Sequence, residues 1–247
     1  MQISDDLYLG PVFRGGPLDA LGAGNPAPME LGIGPMGRVF VFDVVPVTLL
    51  ANGLATSQNP VSGGSFSLTA GAGVTTQVVD GVTRYVLDTP RRVTITAAGA
   101  NTATYQVRGF DLYGQPMTQN LAAPSTSTVT TLKAFKAITS ITNLNATAGT
   151  NGLTAGFNDA LGLPVRVLAV PYIQSVKWDT ALAQDAGTAV AADVTSPATT
   201  ATGDVRGVYT PSSAANGTRR LVMTIAVPGI ACGPNATRVG ALGVTQV

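Results

Sequence analysis

Histidine is absent from the 247 residues, and three other reactive side chains are almost absent. There is one cysteine, Cys232, one glutamate, Glu30, and three lysines, Lys133, Lys136 and Lys177. Histidine is the usual general base near neutral pH and the commonest metal ligand. Without it no Ser-His-Asp or Cys-His arrangement can form, and zinc sites of the usual Cys/His kind are excluded. A single cysteine leaves no intrachain disulfide. Cys232 follows the apolar run Val227-Pro228-Gly229-Ile230-Ala231 and reads as a buried, inert thiol. Twelve aspartates remain, and paired carboxylates can hydrolyse glycosidic bonds. These are scattered, though, and mostly sit beside glycine or at turn-like positions such as Asp80-Gly81, where turn and cap roles account for them. The inventory therefore assigns no catalytic, cofactor-binding or metal-binding residue, and the chain is expected not to be an enzyme.

Charge of both signs is scarce. Charged residues make up 11% of the chain, against about 25% in typical proteins, and the net charge is +1. Hydrophobic residues make up 45%, enough for a real core and the reverse of the balance that marks disorder. The surface is then expected to be neutral, rich in Thr, Ser, Asn and Gln. Such a surface tends to associate. Two readings fit: a secreted protein with few ions, or a subunit whose surface neighbours cover in an assembly. No basic run suggests nucleic-acid binding; Arg91-Arg92 and Arg219-Arg220 read as solvated or interface pairs at strand starts. No run of 18 apolar residues predicts a membrane helix. Met1 to Asp6 lacks the basic and apolar regions of a signal peptide, so synthesis in a cytoplasm is expected.

Glycine and proline crowd residues 1–37, as in Gly10-Pro11, Gly15-Gly16-Pro17, Asn25-Pro26 and Gly34-Pro35. That density breaks helix and ladder alike. Apolar groups are interspersed, so the segment is expected to be an extended arm that packs on its own domain or on a neighbouring subunit. The alternative is an irregular segment packed within the monomer. Leu7, Tyr8, Leu9, Val12 and Phe13 are the candidate interface residues, because aromatic and apolar anchors dominate interfaces.

Residues 38–247 read as a β body, divisible near 165 into two small units. Arg38 to Val45 has strand composition, and Pro46 and Asn52-Gly53 end or turn it. Val74–Val79 and Val82–Leu87 flank Asp80-Gly81, the strongest short-range hairpin signal. Val93 and Ile95, and then Tyr105 and Val107, alternate with polar residues at the period of half-buried strands. Asp111 to Pro116 is a turn. Phe135, Ile138 and Ile141 recur at a helical spacing, but their Thr-rich context favours strand. Residues 143–164 read as a Gly/Asn-rich connection, Val165–Val170 as a strand stopped by Pro171, and 172–178, 204–210 and 218–227 as further strands. The Ala/Thr segment 181–203 leaves room for a short helix. The sum is an all-β, antiparallel, sandwich or jelly-roll-like fold with very little helix.

Two stretches resemble structural proteins of tailed bacteriophages. One runs from Arg91 to Ile141 and contains Val107-Arg108-Gly109-Phe110-Asp111-Leu112-Tyr113-Gly114 and Lys133-Ala134-Phe135-Lys136-Ala137-Ile138-Thr139-Ser140-Ile141. The other is Gly203 to Ser213 with Asn216-Gly217. They cover about a quarter of the chain, counted as turn and core positions of the kind such β modules repeat. The resemblance implies a virion role, in its first form a capsid decoration or cement protein. Such a protein would sit on the capsid exterior as a homotrimer and bind the major capsid protein, with no nucleic-acid or membrane partner and no cofactor. The alternatives are a tail, neck or head-fibre protein, or a carbohydrate-binding β module using Trp178, Tyr172 and Tyr209.

Overall fold

The computed structural model describes residues 2–8, 35–195 and 197–228. Thirteen strands are present among them, all paired antiparallel. They are β1 (Gln2–Tyr8), β2 (Pro35–Val44), β3 (Leu50–Gln58), β4 (Val74–Val79), β5 (Val82–Thr96), β6 (Tyr105–Phe110) and β7 (Pro116–Leu121). After these come β8 (Thr128–Asn143), β9 (Leu153–Gly162), β10 (Ile173–Trp178), β11 (Thr188–Val190), β12 (Val208–Thr210) and β13 (Leu221–Pro228). A single 3-10 turn, Val170–Tyr172, is the only helical element among the described residues. The antiparallel, sandwich-like all-β architecture expected from composition is what the chain adopts.

A four-stranded sheet runs β1-β2-β13-β10. A nine-stranded sheet runs β11-β12-β9-β5-β8-β6-β7, with β3 added beside β9 and β4 beside β5. Two apolar clusters lie on this frame. The first gathers Leu54, Leu87, Val93, Ile95, Tyr105, Val107, Phe135, Ile138, Ile141, Leu153 and Phe157 from the large sheet. The second gathers Phe40, Phe42, Leu161, Leu163, Val176, Trp178, Tyr209, Leu221, Met223 and Ile225, and so joins the small sheet to the end of the large one. Strand β9 belongs to both, with Phe157 in the first and Leu161 in the second.

The hairpin at Asp80-Gly81 forms as its sequence predicts. Val79 faces Val82, and both central residues have positive φ, 51° at Asp80 and 76° at Gly81. A two-residue I′ turn needs that geometry because its twist matches that of the strands. Phe135, Ile138 and Ile141 lie on strand β8, as their Thr-rich surroundings indicate.

Four local expectations are corrected. The Asn52-Gly53 pair does not end a strand; it lies inside β3, where the register with β9 slips between Leu50 and Ala55. A turn signal is read there as a bulge. Residues 153–162, expected within a connection, form the central strand β9. Conversely, Val165–Val170 is not a strand. Val165 and Val167 are buried as apolar knobs, while the Val167 N–H donates to the Arg206 carbonyl. The Ala/Thr segment holds strand β11 instead of a helix.

Candidate interaction surface

Strand β1 places Leu7 opposite Gly37 and Tyr8 opposite Pro35, on the outer strand of the four-stranded sheet. Leu9, Val12, Phe13 and Cys232 lie outside the described residues.

Six of the scarce charges are drawn inward. Arg91, Asp111, Lys133, Asp159, Asp204 and Arg206 are all buried. The sequence suggests a solvated or interface place for Arg91, yet it is fully enclosed. Its guanidinium donates to both oxygens of Asp88, at 2.9 and 2.7 Å, and to Asp159 at 3.3 Å. It also donates to the carbonyls of Val47 and Asn158. This knot sits where β9 passes from one apolar cluster to the other. Burial raises the Asp159 pKa, and Arg91 works against that rise.

A second knot fastens the irregular 191–207 segment to the large sheet. Arg206 donates to Asp111 at 2.7 Å, while the Ala134 N–H donates to Asp204. Lys133 donates from Nζ to the carbonyls of Thr118 and Thr199. Burial pushes the Lys133 pKa down to about 8, with Asp204 and Asp193 opposing the fall.

A third centre is Asp185. It accepts from Ser212 Oγ, Tyr209 Oη, Trp178 Nε1 and the Gly187 and Ser212 N–H groups. Burial alone would raise its pKa, but the hydrogen bonds together leave it lowered. Trp178 and Tyr209 are 5% and 3% exposed. The Arg219 guanidinium lies 4.4 Å from the Trp178 ring centroid. Both rings are thus engaged within the fold, and neither presents an open face.

These carboxylates hold turns and close loops, the role that turn-like positions suggest. Asp111 caps the β6–β7 turn through the Tyr113 and Gln115 N–H groups. Asp193 accepts from the Thr195 and Gly203 N–H groups. The six buried charges are three of each sign, so they leave the small net charge of the chain unchanged. Apolar residues stand out in solvent, among them Val61, Val78, Val82, Leu182 and Val194.

No family model, no curated protein and no solved structure matches this chain.

The edges of the large sheet differ from one another. The Thr69 and Gly71 N–H groups donate to the Leu54 and Gly53 carbonyls and so cover β3. The Thr200 carbonyl accepts from Asn120 and covers β7. Strand β4 pairs with β5 on one side; on its other side the Val74 N–H donates to the Gly71 carbonyl, and no described strand pairs there. Beyond Val74 it is exposed on both faces up to Val79, and Val78 is 68% exposed. The hairpin is legible in the sequence, but the openness of its edge is not, because cover comes from distant segments.

Proposed function

We propose that this chain is a structural subunit of a bacteriophage particle, in the form of a capsid decoration or cement protein. It binds the outer surface of the major capsid protein lattice as a homotrimer and stabilises the head. The observation that carries the reading is the inward placement of charge. A protein with few ions and a net charge of +1 places six of those ions in buried knots, while large apolar side chains stand in solvent among the described residues. Lasting interfaces are large and depleted in charge at their centres. A solitary soluble protein gains nothing from such a surface, whereas a subunit covered by neighbours does. The resemblance of residues 91–141 and 203–217 to phage structural modules points the same way. Leu7, Tyr8, Leu9, Val12 and Phe13 are the proposed contacts of the N-terminal segment.

The test is size-exclusion chromatography with light scattering, followed by mixing with phage heads that lack the protein. A trimer that binds heads and raises the temperature at which they release DNA is the expected result. A chain that ignores the heads overturns the cement reading and directs attention to the tail.

A further inference from the structure

We infer that the outer edge of strand β4 is a self-pairing surface: two copies of this chain join by antiparallel β4–β4 addition across a two-fold axis centred on Thr76.

Natural proteins blunt open edges with lysine, proline, a bulge or a covering loop. Strand β4 has none of these among the described residues. Its sequence is Val74-Thr75-Thr76-Gln77-Val78-Val79, without charge or proline. Its register with β5 runs unbroken from Val74–Leu87 to Val79–Val82, so no bulge turns it away. The other long edges described above are covered. A straight, uncharged, β-branched edge is a template for another strand.

The occupant follows from the strand's own symmetry. A two-fold axis perpendicular to the sheet requires facing residues to share a face, so the sum of their numbers is even. Centring on Thr76 places Thr76 against Thr76 of the second copy, Val74 against Val78, and Thr75 against Gln77. One face then carries Val–Val, Thr–Thr and Val–Val pairs, and the other carries Thr–Gln pairs. β-Branched and Thr–Thr pairs are favoured across strands. Val78 shares its face with buried Val74, yet Val78 itself stands in solvent. Pairing brings Val78 beside Val74 of the second copy and covers it. No charge meets a like charge in this register, since Asp80 lies at the turn beyond the strand. The inference does not depend on the virion reading; if that reading's trimer forms, the β4 edge joins one trimer to another.

Site-specific disulfide trapping tests it. In a Cys232→Ser background, Thr76→Cys places two thiols opposite each other at the axis. Facing Cβ atoms in such pairs lie roughly 4.5–5.5 Å apart, close enough for a disulfide after small adjustment. Mild oxidation is expected to yield a covalent dimer of Thr76→Cys many times faster than of Ser62→Cys, an exposed control on a loop. Thr75→Cys, which faces Gln77, is expected to behave like the control. Val78→Lys puts a charge on the edge and is expected to lower the mass measured by light scattering, with an unchanged melting temperature. Equal oxidation rates for the Thr76→Cys and Ser62→Cys variants overturn the proposal, as does an unchanged mass in Val78→Lys. If Val78→Lys leaves self-association intact but abolishes head binding, the edge belongs to the capsid protein and this inference fails while the virion reading stands.

Discussion

Arg91 is the most constrained single residue described here. Five donated hydrogen bonds tie it to two carboxylates and two carbonyls, and none of its surface is exposed. Removing one partner of a buried charge set leaves the others uncompensated, at a cost of about 3–5 kcal/mol. Arg91→Met is therefore expected to lower unfolding free energy by about that amount in urea titration. Arg220→Met, in the solvent-screened pair with Asp43, is expected to leave the urea midpoint nearly unchanged. Lys133 makes a pH-dependent contribution. Its folded pKa, about 8, lies below the ordinary lysine value of 10.5 because burial disfavours the charge. Between those values the unfolded chain binds more protons than the native one, so stability rises with pH across that window. Lys133→Met is expected to flatten the part of the rise that belongs to this residue, measured as urea midpoints from pH 7 to pH 10.5. Asp185 acts in the opposite pH range. Its folded pKa lies below 3.8, so its stabilising hydrogen bonds are fully present above that pH and are lost as the carboxylate protonates below it.

Elements show where backbone space decides the fold. A Cβ on Gly156 would fall within the radius of the Leu50 carbonyl oxygen, beneath the slipped register of β3. Backbone atoms cannot swing aside as a flexible side chain does. Gly156→Ala is expected to cost at least about 3 kcal/mol, the upper range for overpacking, and to show increased amide exchange in β3 first. The hairpin turn is gentler. Nothing lies within 4 Å of a Cβ added at Gly81, but its φ of 76° is left-handed. Gly81→Ala is expected to cost only about 1–2 kcal/mol, read as a small fall in melting temperature with the mass by light scattering unchanged.

At the scale of the whole molecule, the scarcity of charge has a consequence for association. Contacts made by exposed charges weaken as salt screens them. Contacts made by backbone hydrogen bonds and apolar side chains do not. Self-association is therefore expected to change little between roughly 0.05 M and 0.5 M salt, measured by light scattering. A steep loss with salt would mean that charged groups, not the β4 edge, hold the copies together.

The local features were legible in the chain itself. Asp80-Gly81 is a hairpin turn because two consecutive residues that tolerate positive φ suffice to make one. The alternation of Tyr105 and Val107 with Gln106 and Arg108 marks one buried face, and that periodicity survives folding unchanged. Scarcity of Glu and Lys left few helical surfaces to build, which decided the all-β class. The tertiary structure alone decided the rest. Strand β9 has the composition Leu-Thr-Ala-Gly-Phe-Asn-Asp-Ala-Leu-Gly, poor in strand formers, and becomes a strand because β3, β5 and β12 pair along it. Val165–Val170 has strand composition but no partner strand among the described residues, so Val165 and Val167 serve the second core from irregular backbone while Val170 stays exposed. Arg91 lost its expected solvated or interface place because Asp88 and Asp159, one near in sequence and one far, converge on it. Propensity is a property of neighbouring residues, whereas pairing, enclosure and the openness of an edge depend on segments far apart in the chain.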